Sequence, residues 1–110
     1  MFTNTQKSVW SRMQVELGQR KDVIAYAADR DSAQAIAMDV RQEIENFDHI
    51  DTGRMLNSVT ATVRGGEHVV TAVDYAKYVN GYDREKDGAG FIDDAVNSAI
   101  LDGYDGEVAV

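Results

Sequence analysis

Hydrophobic positions along the first half of the chain recur at helical spacing. Val9, Met13 and Leu17 fall four residues apart with Trp10 beside them, and Gly18 closes that segment. A second helical run is expected from about Lys21. It breaks at Ala28-Asp29-Arg30-Asp31-Ser32, where Asp31 is placed to cap a new helix with Gln34 three residues on. In that helix Ala33, Ile36, Ala37, Val40, Ile44 and Phe47 form one apolar stripe, opposite Asp39, Arg41, Gln42, Glu43 and Glu45. A stripe of that width needs a surface to bury it.

The pattern then changes period. Residues 57–64 alternate, Gly65-Gly66 interrupts, and Glu67 to Val73 is β-branched and apolar, which predicts a two-residue hairpin within 57–73. With the glycines as the turn, Arg64 faces Glu67, Val63 faces His68 and Thr60 faces Thr71. One face then gathers Val59, Ala61, Val63, Val70 and Ala72 to pack on the helix. The other gathers Ser58, Thr60, Thr62, Val69, Thr71 and Val73, and is half polar. Tyr75, Tyr78, Val79 and Tyr82 return to helical spacing, closed by Asn80-Gly81. A loop over 83–90 leads to a last helix from about Phe91 to Leu101, with Asp93 and Asp94 in its first turn, where the helix dipole favours them.

These elements predict a single α+β domain over residues 1–110. N-terminal helices occupy 4–47, and a long amphipathic helix packs on a small antiparallel sheet with a central hairpin. The helical part over 75–101 ends in a short C-terminal helix. At 110 residues and 44% hydrophobic, the chain is large enough for one modest core. It has no proline, so helices must stop at Gly, Asp or Asn.

Charge and chemistry narrow the function. The formal net charge is −8, and from Asp83 onward eight acidic residues stand against Arg84 and Lys86. Such a surface repels phosphate, which argues against tight or sequence-reading DNA binding. There is no cysteine, and His49 and His68 stand apart, so no transition-metal site, disulfide or cofactor is expected. No run approaches the roughly 18 apolar residues of a membrane helix, and residues 1–7 lack the apolar core of a secretory signal, so synthesis in the cytoplasm and no membrane partner are expected.

Three motifs carry candidate chemistry. Asp51-Thr52-Gly53 is the triplet of aspartic proteases, but Arg54 stands where a small residue is needed, and a long helical pattern precedes a motif that belongs in an almost all-β chain. Catalytic residues are therefore not assigned. Asp83, Glu85, Asp87 and Gly88 imitate a calcium loop, but its eighth position is Gly90 and its twelfth is Asp94 rather than a chelating Glu. A flexible acidic loop is the better reading.

The third pattern pairs Asp51-Thr52-Gly53-Arg54-Met55-Leu56-Asn57-Ser58-Val59 with Asp74-Tyr75-Ala76-Lys77-Tyr78-Val79-Asn80-Gly81. Asp51 and Thr52 can hydrogen-bond the backbone leaving the helix, Gly53 permits a positive φ, and Arg54 offers a forked donor to a carboxylate. Tyr75 and Tyr78 combine apolar area with a polar tip. In order and spacing this pair, with Phe91 opening the last helix, resembles the neck or tail-completion (head–tail joining) family of long-tailed, lambda-like bacteriophages. The family's Glu and Thr around the second glycine are here Asn80 and Tyr82, and its Arg-Pro-Phe segment is reduced to Gly90-Phe91.

The resemblance implies a structural virion protein, not an enzyme, at the neck of the particle. It would form a homo-oligomeric ring of about six or twelve copies between the head-closure or connector proteins and the tail, with DNA passing through. It also implies interface roles for Asp51, Thr52, Gly53, Arg54, Ser58, Tyr75, Tyr78, Gly81 and Phe91. The alternatives are another virion role, such as tail terminator or minor capsid protein, and a small calcium-binding or regulatory module.

Overall fold

The structure is a computed structural model, and it describes residues 21–47 and 52–109. The expected helix around Val9, Met13 and Leu17, and Asp51, lie outside the described residues. The fold is α+β, with two helices laid over one face of a four-stranded antiparallel sheet in the order β2-β3-β1-β4.

Strand β1 (Val23–Ala27) corrects the expectation of a second helix from Lys21. Its five residues, Val-Ile-Ala-Tyr-Ala, lie between β3 and β4, and Val23, Ile24 and Ala25 are fully buried. A strand covered on both faces loses the polar–apolar alternation that would mark it, and a short apolar run reads equally as helix.

Helix α1 (Arg30–Glu45) follows. Its cap is Asp29 rather than Asp31: Asp29 is extended, and its carboxylate accepts the Ser32 N–H at 2.7 Å. Ser32 is itself buried because its Oγ accepts the Asp105 N–H at 3.0 Å, tying the start of α1 to the chain entering β4. The predicted stripe is the buried face, with Ala33, Ile36, Ala37, Val40 and Ile44 all in the core.

Helix α2 (Thr52–Ser58) leads into the hairpin of β2 (Thr60–Arg64) and β3 (Glu67–Thr71). The register is the one the glycine turn dictates, with Thr60 opposite Thr71, Val63 opposite His68 and Arg64 opposite Glu67. Gly65 and Gly66 have φ of 53° and 80°, the positive values a tight turn between twisted strands demands. Val59, Val70 and Ala72 face α1 and are buried, and Ala61 packs against the same core. Val63 does not: it lies on the edge strand and is 56% exposed. The opposite face is also less polar than its threonines suggest, because Val69 joins Val23, Ala109 and Tyr26 in a second apolar cluster. That cluster forms only because β1 inserts beside β3, which the hairpin's own alternation does not reveal.

Helix α3 (Ala76–Asn80), helix α4 (Phe91–Leu101) and strand β4 (Gly106–Val108) complete the chain. Helix α4 has the predicted limits, and Phe91, Ile92, Ala95, Val96 and Ala99 bury its apolar face. It runs antiparallel to α1, since Asp39 lies beside Ser98 and Asp102 while Glu43 lies beside Asp94. Strand β4 pairs with β1, so the Gly106–Val108 segment is a structural strand.

Candidate functional site

The two motif segments, some twenty residues apart in sequence, meet in space. Ser58 ends α2 and donates from Oγ to the Met55 carbonyl at 2.6 Å. The same oxygen accepts the Val73 N–H at 3.0 Å, where the chain leaves β3 toward the second motif. With its proton donated and one lone pair engaged, this hydroxyl ties the end of α2 to the chain leaving β3. Beside it Arg54 stacks its guanidinium 5.9 Å from the Tyr75 ring centroid, within cation–π range. Arg41 reaches over from α1 to donate to the Val59 carbonyl at 2.8 Å, holding the entry to β2.

The individual site residues separate into two groups. Gly53, Arg54, Tyr78 and Gly81 lie at the surface, and Tyr78 is 76% exposed. Thr52 opens α2, and Asp51 lies outside the described residues. Gly53 sits inside that helix without a positive φ, so the turn expected at this glycine is corrected to a helical turn. Ser58 and Tyr75 are partly buried and hold the two segments together. Phe91 is corrected from interface to core: it is 1% exposed and meets Phe47 edge-on, with centroids 5.1 Å apart and planes at 89°. A ring this deeply packed contributes about 1.5–3 kcal/mol by burial alone.

Three features escape sequence reasoning. Asn80 Oδ1 accepts the Ile92 N–H at 2.7 Å, and its Nδ2 donates to Asp93 at 2.9 Å. It thereby supplies the side-chain cap that α4 lacks at its own N-cap, Gly90. The closing Asn-Gly pair was legible as a helix stop, but a cap given to a helix ten residues downstream has no local signature. Gly88, at φ +88°, sits against Val79 and Phe47, where an added Cβ would lie 2.5 Å from Val79 Cγ1. The third feature is a carboxylate seam between α1 and α4.

In that seam burial pushes the Asp39 and Glu43 carboxyls up, and the neighbouring charges of Asp102 and Asp94 add to the effect. At the other end of the sheet Asp22 is held below the usual carboxylate range by the hydrogen bond from Arg64. Their two-pronged pair has contacts of 2.8 and 2.6 Å. Lys77, in the second motif, has its pKa lowered by burial, and the Asp22 charge opposes that shift.

Among the described residues no group of three or more His, Cys, Asp or Glu is placed to hold a metal ion, and no helix is long and apolar enough to cross a membrane. Asp83, Glu85 and Asp87 are all exposed. Comparison of the chain with protein-family models, characterised proteins and solved structures finds no match. Arg54, Tyr78 and Gly81 are each exposed, and a cation and an aromatic ring at the surface suit a protein contact.

Proposed function

We propose that this chain is a non-enzymatic structural protein of a bacteriophage particle, placed at the neck between the head connector and the tail. Copies of it form a ring through which DNA passes. The observation that supports this reading most directly is the joining of the two motif segments by Ser58 and by the Arg54–Tyr75 stack. The resemblance rests on those two segments. Their contact makes them neighbours in space rather than two unrelated stretches, and Arg54 in the first and Tyr78 in the second are exposed. The acidic balance suits a wall past which DNA slides without sticking.

The test is the abundance of this chain in purified particles, measured by quantitative mass spectrometry against the portal protein. The expected count is about six or twelve per particle, as closed rotational symmetry requires. A count on the order of hundreds would move the chain to the shell or tail tube, and its absence from particles would end the reading.

A further inference from the structure

We propose that copies of this chain join head to tail through the two edges of their sheets, β2 of one copy pairing antiparallel with β4 of the next. Among the described residues no strand pairs with the outer side of either. Each neighbouring pair in the order β2-β3-β1-β4 is antiparallel, so β2 and β4 run in opposite directions. A second copy laid beside the first therefore continues the alternation without a break.

The backbone groups match as well. A two-residue turn makes Arg64 and Glu67 a hydrogen-bonded pair, so Ala61 and Val63 point their N–H and C=O groups away from β3. On the other edge the Ala28 N–H donates to the Asp105 carbonyl and the Ala109 N–H to the Ile24 carbonyl, both at 3.0 Å. That places the backbone groups of 105, 107 and 109 toward β1 and turns those of Gly106 and Val108 outward. Setting Val63 opposite Gly106 and Ala61 opposite Val108 gives two hydrogen-bonded pairs, with Thr62 and Glu107 facing each other between them.

Charge selects this pairing over the edge meeting itself. Residues 52–64 carry Arg54 and Arg64 and no carboxylate, whereas residues 91–109 carry Asp93, Asp94, Asp102, Asp105 and Glu107 and no basic residue. At the proposed register Asp105 stands opposite Arg64, adding a second carboxylate to an arginine already paired with Asp22. Pairing β4 with β4 would instead crowd carboxylates together, in a chain whose net charge is −8. Strand β2 has no proline, lysine or bulge to protect its edge, its one charge is Arg64 beside the turn, and it leaves Val63 uncovered. A contact between unlike edges is one that a closed ring can use. It deepens the ring reading and rests on that reading for its setting.

The absence of cysteine makes the test clean. In the double variant Thr62→Cys/Glu107→Cys the two sites lie about 14 Å apart within one chain, across the width of the four strands, beyond disulfide reach. Between copies they form a non-hydrogen-bonded pair with Cα atoms about 4.5 Å apart, within reach. Oxidation of the concentrated protein is expected to give a ladder of covalent oligomers on non-reducing electrophoresis, which collapses under reductant. Mixing the two single variants is expected to give only the mixed dimer.

The contact is overturned by a natively folded double variant that yields no ladder, or by Thr62→Cys cross-linking to itself as readily as to Glu107→Cys. If the double variant does not fold, Arg64→Cys with Asp105→Cys reads the next rung of the same register. A ladder from a chain absent from particles would support the contact and end the neck reading. A ring-like copy count without a ladder would do the reverse.

Discussion

Asn80 accepts the Ile92 N–H and donates to Asp93, so one side chain closes the start of α4 from outside the helix. Asn80→Ala is expected to lower stability by about 1–2 kcal/mol, read as a lower urea midpoint with an unchanged slope. Gly88 and Gly103 both have positive φ, 88° and 97°, but only Gly88 faces close atoms. Gly88→Ala should therefore cost more than Gly103→Ala, by about 1–3 kcal/mol of overpacking, and equal losses would show that the Val79 and Phe47 side chains move aside freely. The Tyr75 hydroxyl is buried with no hydrogen-bond partner among the described residues. Tyr75→Phe is thus expected to leave the melting temperature unchanged or slightly higher, because it removes an unsatisfied polar atom and keeps the ring under Arg54.

Between elements, electrostatics acts in two directions. Asp39 and Glu43, in the seam of α1 and α4, have pKa values raised above their ordinary 3.8 and 4.5. A carboxyl that holds its proton more tightly when folded opposes folding once it ionises. This contribution therefore makes stability fall as pH rises through the interval above those ordinary values. Asp22, lowered by Arg64, acts oppositely: its stabilising contribution is present above its ordinary 3.8 and is lost as pH falls through the lowered value. Urea unfolding between about pH 3 and pH 7 should resolve the two. Asp39→Asn with Glu43→Gln should remove the loss on the upper side and leave the acid limb, and an unchanged profile would count against the seam. The tie between α2 and the end of β3 is a separate matter of hydrogen bonding. Ser58→Ala strands the Val73 N–H and is expected to cost about 1–3 kcal/mol in thermal unfolding.

At the scale of the molecule, the packing of the described helices on the sheet separates residues that hold the fold from residues at the surface. Phe91 lies under the helices against Phe47, whereas Tyr78 stands clear of the core. Phe91→Ala is expected to cost about 3–5 kcal/mol, and Tyr78→Ala to leave the melting temperature unchanged while, under the proposed neck role, weakening attachment to the particle. An equal loss of stability in both, followed by calorimetry, would contradict the division. The resemblance alone does not make that division, because a motif position is silent about which side of a helix faces inward.

Residues with a strict local period were legible from the chain alone. The stripe from Ala33 to Ile44 determined α1, the Gly65-Gly66 pair determined the hairpin and its register, and the apolar pattern with its leading aspartates determined α4, because each signal is complete within one element. Strand β1, the Asn80 cap, the Gly88 packing site and the carboxylate seam were decided by tertiary structure. Each depends on partners distant along the chain: β1 on β3 and β4, Asn80 on Ile92, Gly88 on Phe47, and Asp39 on Ser98 and Asp102. Such pairings follow from how the layers close over the core, and a periodicity confined to one segment carries no record of what will lie against it.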